Sequence, residues 1–556
     1  MSPLDSRWAR LTLAVVSGVA LYFAFAPWDF EVAAWLWSLP ILTVLWIGRP
    51  MRHLKTLLLG WITGFAFFLP NLSWLRHSSR VIAGAIDHSW AGWGPELMGW
   101  SAALGMSGFL SIYIALWAWF TAKVARPEAK RIRSEDWMIC SLESLKSAFL
   151  SAAAWVGLEW LRGIVFTGFG WNGLAVGLHK NIVLIQVADL IGVTGVSFLP
   201  IFIACIGFNT LVRILWTYQG ESKRTFRADF SVAMLLLLGV VNYGWQKMNE
   251  PSSGDQVEVK TVLVQQNVPQ AVKWSGENTV EIYHRYAELT SLYASHADLI
   301  VWPESALPLP VYSHPDHPAY FNELLAKGPF SLLTGADVIE PDAPAYTSAM
   351  LLRDRFEDAA FYHKMHLVPF GEYLPFREEV PLIDTLLGGI LPGDFTPGTI
   401  AEPLKLQSPA IDIIPLICFE DTVGRLARKF VRDGPQLIVN LTNDGWFLQS
   451  AEMEQHLANA VFRSIELRRP MCRASNTGPS CFIDVLGRVT QKLVDPNTGS
   501  QFIEGCLPGK VSLAKNPLLT LYARWGDWFS VTLLLTAVIA FAIRLFRQRS
   551  NKARPS

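Results

Sequence analysis

The chain alternates between two textures. Unbroken apolar stretches recur at about 11–28, 32–48, 55–75, 96–120, 147–165, 188–216 and 229–246, and once more at 528–545. Each is long enough to cross the ~30 Å hydrocarbon core of a bilayer as a helix, so the pattern predicts eight spans, seven before a polar block and one after it. The fifth is the weakest of them, because Glu159 and Arg162 fall inside it.

From about 250 to 518 the period shortens. Val257–Val264 alternates as a strand, 276–295 repeats as a helix, and Asp298–Trp302 is a buried strand. A helix near 317–327 follows, then strands near 330–336, 347–353 and 359–364. Next come an apolar strand at 410–418, a helix at 422–433, a strand at 436–442 and a helix at 451–469. Short strands near 471–475 and 480–485 close the block. Strands alternating with amphipathic helices predict an α/β sheet. Three parts are expected: a membrane domain at 1–249 with seven transmembrane helices, an α/β domain at 250–518, and an eighth transmembrane helix with a basic tail at 519–556.

Charge sets the orientation. Lysine and arginine collect in the N-terminal arm, in the loops around 49–55, 123–146 and 213–227, and in the tail at 544–554, whereas the opposite short loops hold little beyond Arg76, Arg80 and Lys180. Positive segments stay cytoplasmic, which places both termini inside and the polar block outside. Ala24-Phe25-Ala26 has the form of a signal-peptide cleavage site, but Pro27 directly after it makes a poor substrate bond, so an uncleaved anchor is expected. Trp90, Trp93 and Trp171 in the outer loops are expected at the membrane interface. Arg76 and Arg80 are candidates for attracting phospholipid phosphate.

Composition agrees. The hydrophobic set makes up 51% of 556 residues and only 17% are charged, against about a quarter in soluble domains. That excludes a chain that is cytosolic throughout. The 47 basic and 47 acidic residues cancel, which excludes a bulk polyanion binder. Six cysteines, at 140, 205, 418, 472, 481 and 506, include no CxxC pair and no cluster at metal spacing. Glu454 and His456, two apart on a helix, do not share a face. No zinc site, metal or disulfide framework is expected, and one cysteine is free to serve as a thiolate.

In open α/β sheets, sites gather where strands end. Glu304 follows Leu299–Pro303, Lys364 follows Phe361–His363, and Cys418 follows Ile413–Ile417. Singly, Glu304 reads as well as a cap, Lys364 as a solvated strand-end charge and Cys418 as a small core residue. Together they form an acyl-transfer apparatus: a carboxylate to take the thiol proton, an ammonium to favour thiolate and hold an oxyanion, and a nucleophilic sulfur. The polar turn Asn440–Phe447 reads as an active-site loop. Its Asp444 is read as accepting backbone bonds, with no catalytic role.

The segments Val301-Trp302-Pro303-Glu304-Ser305, His363–Glu372 and Ile417-Cys418-Phe419-Glu420-Asp421 resemble the carbon–nitrogen hydrolase (nitrilase) superfamily and, within it, the bacterial apolipoprotein N-acyltransferases. The likeness in layout covers nearly the whole chain. It implies a four-layer αββα catalytic domain joined to the eight spans. Glu304 would be general base, Lys364 oxyanion stabiliser and Cys418 nucleophile. Glu372 and Glu420 would support them, and Trp274 would be a substrate-side aromatic; packing and ion pairing in a polar core are the alternatives for these three. The implied reaction moves an acyl chain from a glycerophospholipid, commonly phosphatidylethanolamine, to the α-amine of a diacylglyceryl-modified N-terminal cysteine of a lipoprotein, with no cofactor. A membrane-tethered amidase using water is the nearest rival. Phe419 stands where some members carry Tyr, and Thr347 where an Asn is common.

Overall fold

The computed structural model describes residues 5–86, 93–220, 226–250, 254–274, 278–375, 377 and 394–553. The chain forms two compact units. One comprises Met1–Ser73, Ser101–Glu250 and Arg524–Ser556; the other comprises Trp74–Trp100 and Pro251–Ala523.

The first unit is helical. Among the described residues, five helices are long and apolar enough to cross a membrane: His53–Asn71, Gly94–Lys123, Phe198–Tyr218, Ala228–Met248 and Trp528–Ser550. Helix Arg7–Tyr22 is shorter, as is the apolar run Glu31–Ile47. The predicted span at 147–165 is the second half of a 26-residue helix, Trp137–Arg162. The stretch at 188–216 is not one helix: Ala188–Val196 holds Gly192 at φ 72, a left-handed value suited to glycine, and Phe198–Tyr218 continues separately.

The charges of the fifth predicted span are buried and satisfied. Glu159 accepts hydrogen bonds from Ser197 Oγ (2.6 Å), Leu174 N (2.8 Å) and Trp155 Nε1 (3.0 Å), and Arg162 donates to the Trp171 carbonyl (2.7 Å). Trp171 is itself buried, stacked beside Phe169. It therefore packs inside this unit, where an interfacial position was expected. Trp90 and the side chain of Trp93 lie outside the described residues.

The second unit is built on two six-stranded sheets. One has the order β12-β1-β2-β3-β4-β5, with β1 Gln256–Gln265, β2 Leu299–Val301, β3 Ser331–Val338, β4 Tyr346–Leu352, β5 Ala360–His363 and β12 Gly505–Ala514. The other has the order β11-β10-β9-β8-β7-β6, with β6 Leu404–Leu406, β7 Ile411–Ile417, β8 Gln436–Thr442, β9 Met471–Ser475, β10 Cys481–Ile483 and β11 Val489–Lys492. Each sheet has a parallel trio, β1-β2-β3 or β7-β8-β9, flanked by antiparallel strands. β2 and β8 are buried at every residue and β7 at all but Asp412, as strands covered on both faces must be, whereas the first half of β1 alternates with exposed positions.

Helices Thr279–Ser291 and His317–Leu325 cover one face of the first sheet. Ile282, Tyr286, Phe321 and Leu324 pack there on Val262, Ile300, Leu332 and Met350. Trp302 anchors this core, its ring stacked 4.3 Å from that of Tyr286 and its Nε1 donating to Thr290 Oγ1 at 3.0 Å. The sheets meet through β1 against β9 and β4 against β7.

Two expectations fail here. Strands at 471–485 do not close the block, because β12 returns to pair with β1 along ten residues. Its sequence contains Gly505, Pro508 and Gly509, which read as a loop; an edge position lets a strand accept a proline. The predicted helix at 422–433 is instead three short turns, Cys418–Thr422, Gly424–Ala427 and Arg428–Phe430, broken at Val423 by a non-helical φ/ψ of −105°/82°.

The segment before the fourth predicted span also belongs to this unit. Helix Leu75–Ile86 packs on helix Gln270–Trp274 and on the turn Asp444–Phe447. Arg76 lies over the Trp100 ring at 5.3 Å and Arg80 pairs with Glu96, so both arginines have protein partners.

Candidate active site

The ends of β2, β5 and β7 bring three side chains together. Glu304 follows β2, and its backbone presses on Gly335 of β3. A Cβ on Gly335 would fall 2.6 Å from Glu304 Cα and from the Pro303 carbonyl, so only glycine lets the carboxylate's loop sit this close. Lys364 follows β5, its N–H donating to the Thr347 carbonyl of β4 at 2.9 Å. Cys418 follows β7 at φ 51, a left-handed value that costs a non-glycine residue about 1–3 kcal/mol and must be held by its surroundings.

The Lys364 ammonium is fully buried, 2.6 Å from Glu372 Oε1 and 3.4 Å from Glu304 Oε1. The Cys418 thiol lies beside the Glu304 carboxylate, close enough for each to shift the other. Cys418 keeps part of its surface open, whereas Glu304 is only 7% exposed. Glu372 Oε2 accepts the Val368 N–H at 2.8 Å, which aims its other oxygen at the lysine.

The electrostatics follow from burial. Burial raises Glu304 above the ordinary carboxylate range; Lys364 pulls it down and Glu372 pushes it up. Burial and then Glu304 raise Cys418 well above a free thiol, against the pull of Lys364. Burial by itself would lower Lys364, but Glu372, Glu304 and Cys418 hold it well above its usual value. The resting state is thus a neutral thiol beside a raised carboxylate and a fixed ammonium. That combination suits proton transfer from sulfur when an electrophile arrives.

Glu420 ties two of the strand ends together. Its Oε1 accepts Met365 N (2.8 Å), His366 N (3.0 Å) and Tyr362 Oη (2.8 Å), and its Oε2 accepts Ile417 N (2.9 Å). One buried carboxylate therefore locks the turn after Lys364 to the strand before Cys418. Burial pushes it up to about 7, with the Ile417 N–H, the Lys364 charge, the His366 N–H and the Tyr362 hydroxyl opposing. Glu420→Gln is expected to cost about 1–3 kcal/mol, because an amide NH2 must then face backbone N–H groups. Thermal unfolding measures it; an unshifted melt would remove Glu420 as the tie.

Glu304, Lys364, Cys418, Glu372 and Glu420 thus come together, Cys418 and Glu420 from the one turn Cys418–Thr422. Helix Gln270–Trp274 is present, but the side chain of Trp274 lies outside the described residues. Phe419 stacks on His366 at 5.7 Å, and Thr347 of β4 lies opposite Asp337 of β3. Two groups were missed. Burial lowers Lys273 to about 8, with Asp337 and Glu304 opposing, and burial raises Asp337 to about 6, with Lys273 opposing. The only signal for Lys273 was its place directly before Trp274.

A sequence model of the carbon-nitrogen hydrolases matches residues 260–500, and one of the apolipoprotein N-acyltransferase N-terminal domain matches residues 17–206. The apolipoprotein N-acyltransferase of Geobacter metallireducens is 32% identical over 97% of this chain and 95% of its own length. The chain belongs to the apolipoprotein N-acyltransferase family. A second relative of that name, from Bradyrhizobium diazoefficiens, is 30% identical over 98% of this chain and 96% of its own. A solved carbon-nitrogen hydrolase from Helicobacter pylori aligns with 46% of this chain and 89% of its own at 14% identity, with a TM-score of 0.33. Membership of the apolipoprotein N-acyltransferase family therefore rests on the sequence relatives. The match at 17–206 lies in the apolar region, so the likeness includes both textures of the chain.

Proposed function

We propose that this chain transfers a fatty acyl chain from a glycerophospholipid to the α-amine of the diacylglyceryl-modified N-terminal cysteine of apolipoproteins, through a thioester on Cys418. This is the last step of lipoprotein maturation. The observation that carries the reading is a Glu304 carboxylate that accepts from the buried Lys364 ammonium and lies close enough to the Cys418 thiol for each to shift the other, in a chain whose relatives of that name match it over nearly its whole length. Eight spans set the enzyme in a bacterial inner membrane, with both termini cytoplasmic and a four-layer αββα catalytic domain in the periplasm. The five long apolar helices and the distribution of Lys and Arg support this placement.

The reaction has two halves. Glu304 takes the Cys418 proton, and the thiolate attacks the ester carbonyl. Lys364 Nζ and the backbone N–H after Cys418 hold the oxyanion, and Glu372 fixes the lysine. Collapse expels the lysophospholipid alkoxide, which takes the proton from Glu304. The lipoprotein amine then attacks the thioester and yields a proton to Glu304. The amide forms, and the departing thiolate is reprotonated. The family resemblance assigns Trp274 to substrate contact.

The rival amidase would pass the acyl group to water, and it gives no reason for the apolar region to match the acyltransferase domain. The test uses phospholipid labelled in its acyl chain, with and without a diacylglyceryl lipopeptide. Lysophospholipid is expected to appear in a stoichiometric burst without peptide, and label in the peptide amide once peptide is added. Labelled free fatty acid as the sole product would sink the proposal in favour of the amidase.

A further inference from the structure

Behind Cys418 lies a buried set of charges that the acyl-transfer scheme leaves unused. Asp421 sits in the turn that begins at the cysteine, Asp444 in the turn after β8, Glu452 and His456 one helical turn apart, and Arg473 in the middle of β9. All are at most 2% exposed. Arg473 Nη1 donates to Asp421 Oδ2 (2.5 Å) and to Asn440 Oδ1 (2.8 Å), and its Nη2 lies 3.1 Å from Asp444 Oδ2. His456 Nε2 faces Asp421 Oδ1 at 2.9 Å and its Nδ1 faces Asp444 Oδ1 at 3.0 Å. Asn440, held by the guanidinium, turns its Nδ2 to the carbonyl of Cys418 itself (3.1 Å) and to that of Leu416 (3.3 Å).

Asp444, Glu452 and His456 have the spacing of a metal site. A cation of the protein already stands beside two of them: Arg473 Nη2 is 2.9 Å from His456 Nδ1 and 3.1 Å from Asp444 Oδ2. The charges are therefore internal, and they converge on one peptide. Cys418 has a left-handed φ that its own side chain does not favour, and the direction of the following N–H depends on how its carbonyl is held.

We infer that Arg473 is a positioning residue for the nucleophile: through Asn440 it fixes the Cys418 carbonyl, and through Asp421, shared with His456, it fixes the turn, so that the N–H after Cys418 points where the oxyanion forms. The inference rests on Cys418 being the nucleophile. Lysine in place of Arg473 keeps the charge, but its single ammonium does not reproduce the fork that reaches Asp421, Asn440 and Asp444 together.

The test uses full-length enzyme in detergent with phosphatidylethanolamine vesicles, following the rate of acyl adduct formation on Cys418 by mass spectrometry. Arg473→Lys is expected to lower the maximal rate at least about a hundredfold with KM changed less than about threefold, the pattern of an interaction felt in the transition state. Asn440→Ala leaves every ion pair in place and is expected to act likewise, so it decides the matter if the arginine variant does not fold. In the folded double variant the loss is expected to equal the larger single loss, because both act through one carbonyl. An adduct rate within threefold of wild type in either folded variant, or losses that multiply, would overturn the inference. No adduct on the wild-type enzyme would overturn the acyl-transfer reading instead, and the inference with it.

Discussion

Cys418→Ala is expected to abolish both halves of the reaction: no lysophospholipid burst, no adduct and no labelled lipopeptide, a loss of at least about a thousandfold. The size follows from the chemistry. Glu304 and Lys364 remain in place and still form their pair at 3.4 Å, but with no sulfur there is no covalent intermediate, and direct attack of the lipoprotein amine on an ester must occur in one step. The variant should also fold, since Cys418 keeps part of its surface open and the turn is held by Glu420 and Asn440 and not by the thiol. A melting profile like that of wild type together with absent adduct is the expected pair of results. Residual transfer within tenfold of wild type would mean that another group carries the acyl chain.

Lys364→Met is expected to be the most damaging change for activity and stability together. The ammonium is fully buried with carboxylates at 2.6 and 3.4 Å, and removing it leaves Glu372 and Glu304 without their counter-charge, at a cost of about 3–5 kcal/mol. It also removes an oxyanion donor, worth about a hundred- to a thousandfold in rate. The pH dependence carries the signature. Burial already raises Glu304, and Lys364 is the charge that pulls it back down. Without the lysine Glu304 keeps its proton to higher pH. It is the base only when deprotonated, so the acidic limb of the acylation rate should move upward. An acidic limb and a melting temperature both unchanged would show that Lys364 neither faces Glu304 nor supports the fold.

Much of the site was legible because it lies in short contiguous segments. Glu304, Lys364 and Cys418 each end an apolar strand, and a strand end in an α/β sheet is where a side chain can be both anchored and open. Glu372 and Glu420 stand eight and two residues from the lysine and the cysteine, close enough in the chain for the motif to include them. The strand β12 was missed; it carries Pro508 and Gly509, which suit a strand only at an edge, and edge position is a property of the folded sheet. The helix expected at 422–433 has the composition of a helix, yet tertiary contacts bend the chain at Val423, where Asp421 is drawn towards Arg473 and His456. Asp444 read as a turn residue, and its partners on β9 and on helix Glu452–Leu467 made it a buried ion.

The residues alone determined which stretches are apolar enough to seek a membrane or a sheet core, and which three reactive side chains end strands, because periodicity and strand ends are properties of neighbours along the chain. Only the folded chain decided that the carboxylate of Glu304 meets both thiol and ammonium, and that Arg473, Asn440 and Asp421 close around the peptide of Cys418. Those contacts join groups tens to more than a hundred residues apart. Their energies depend on burial and distance, which no local pattern encodes.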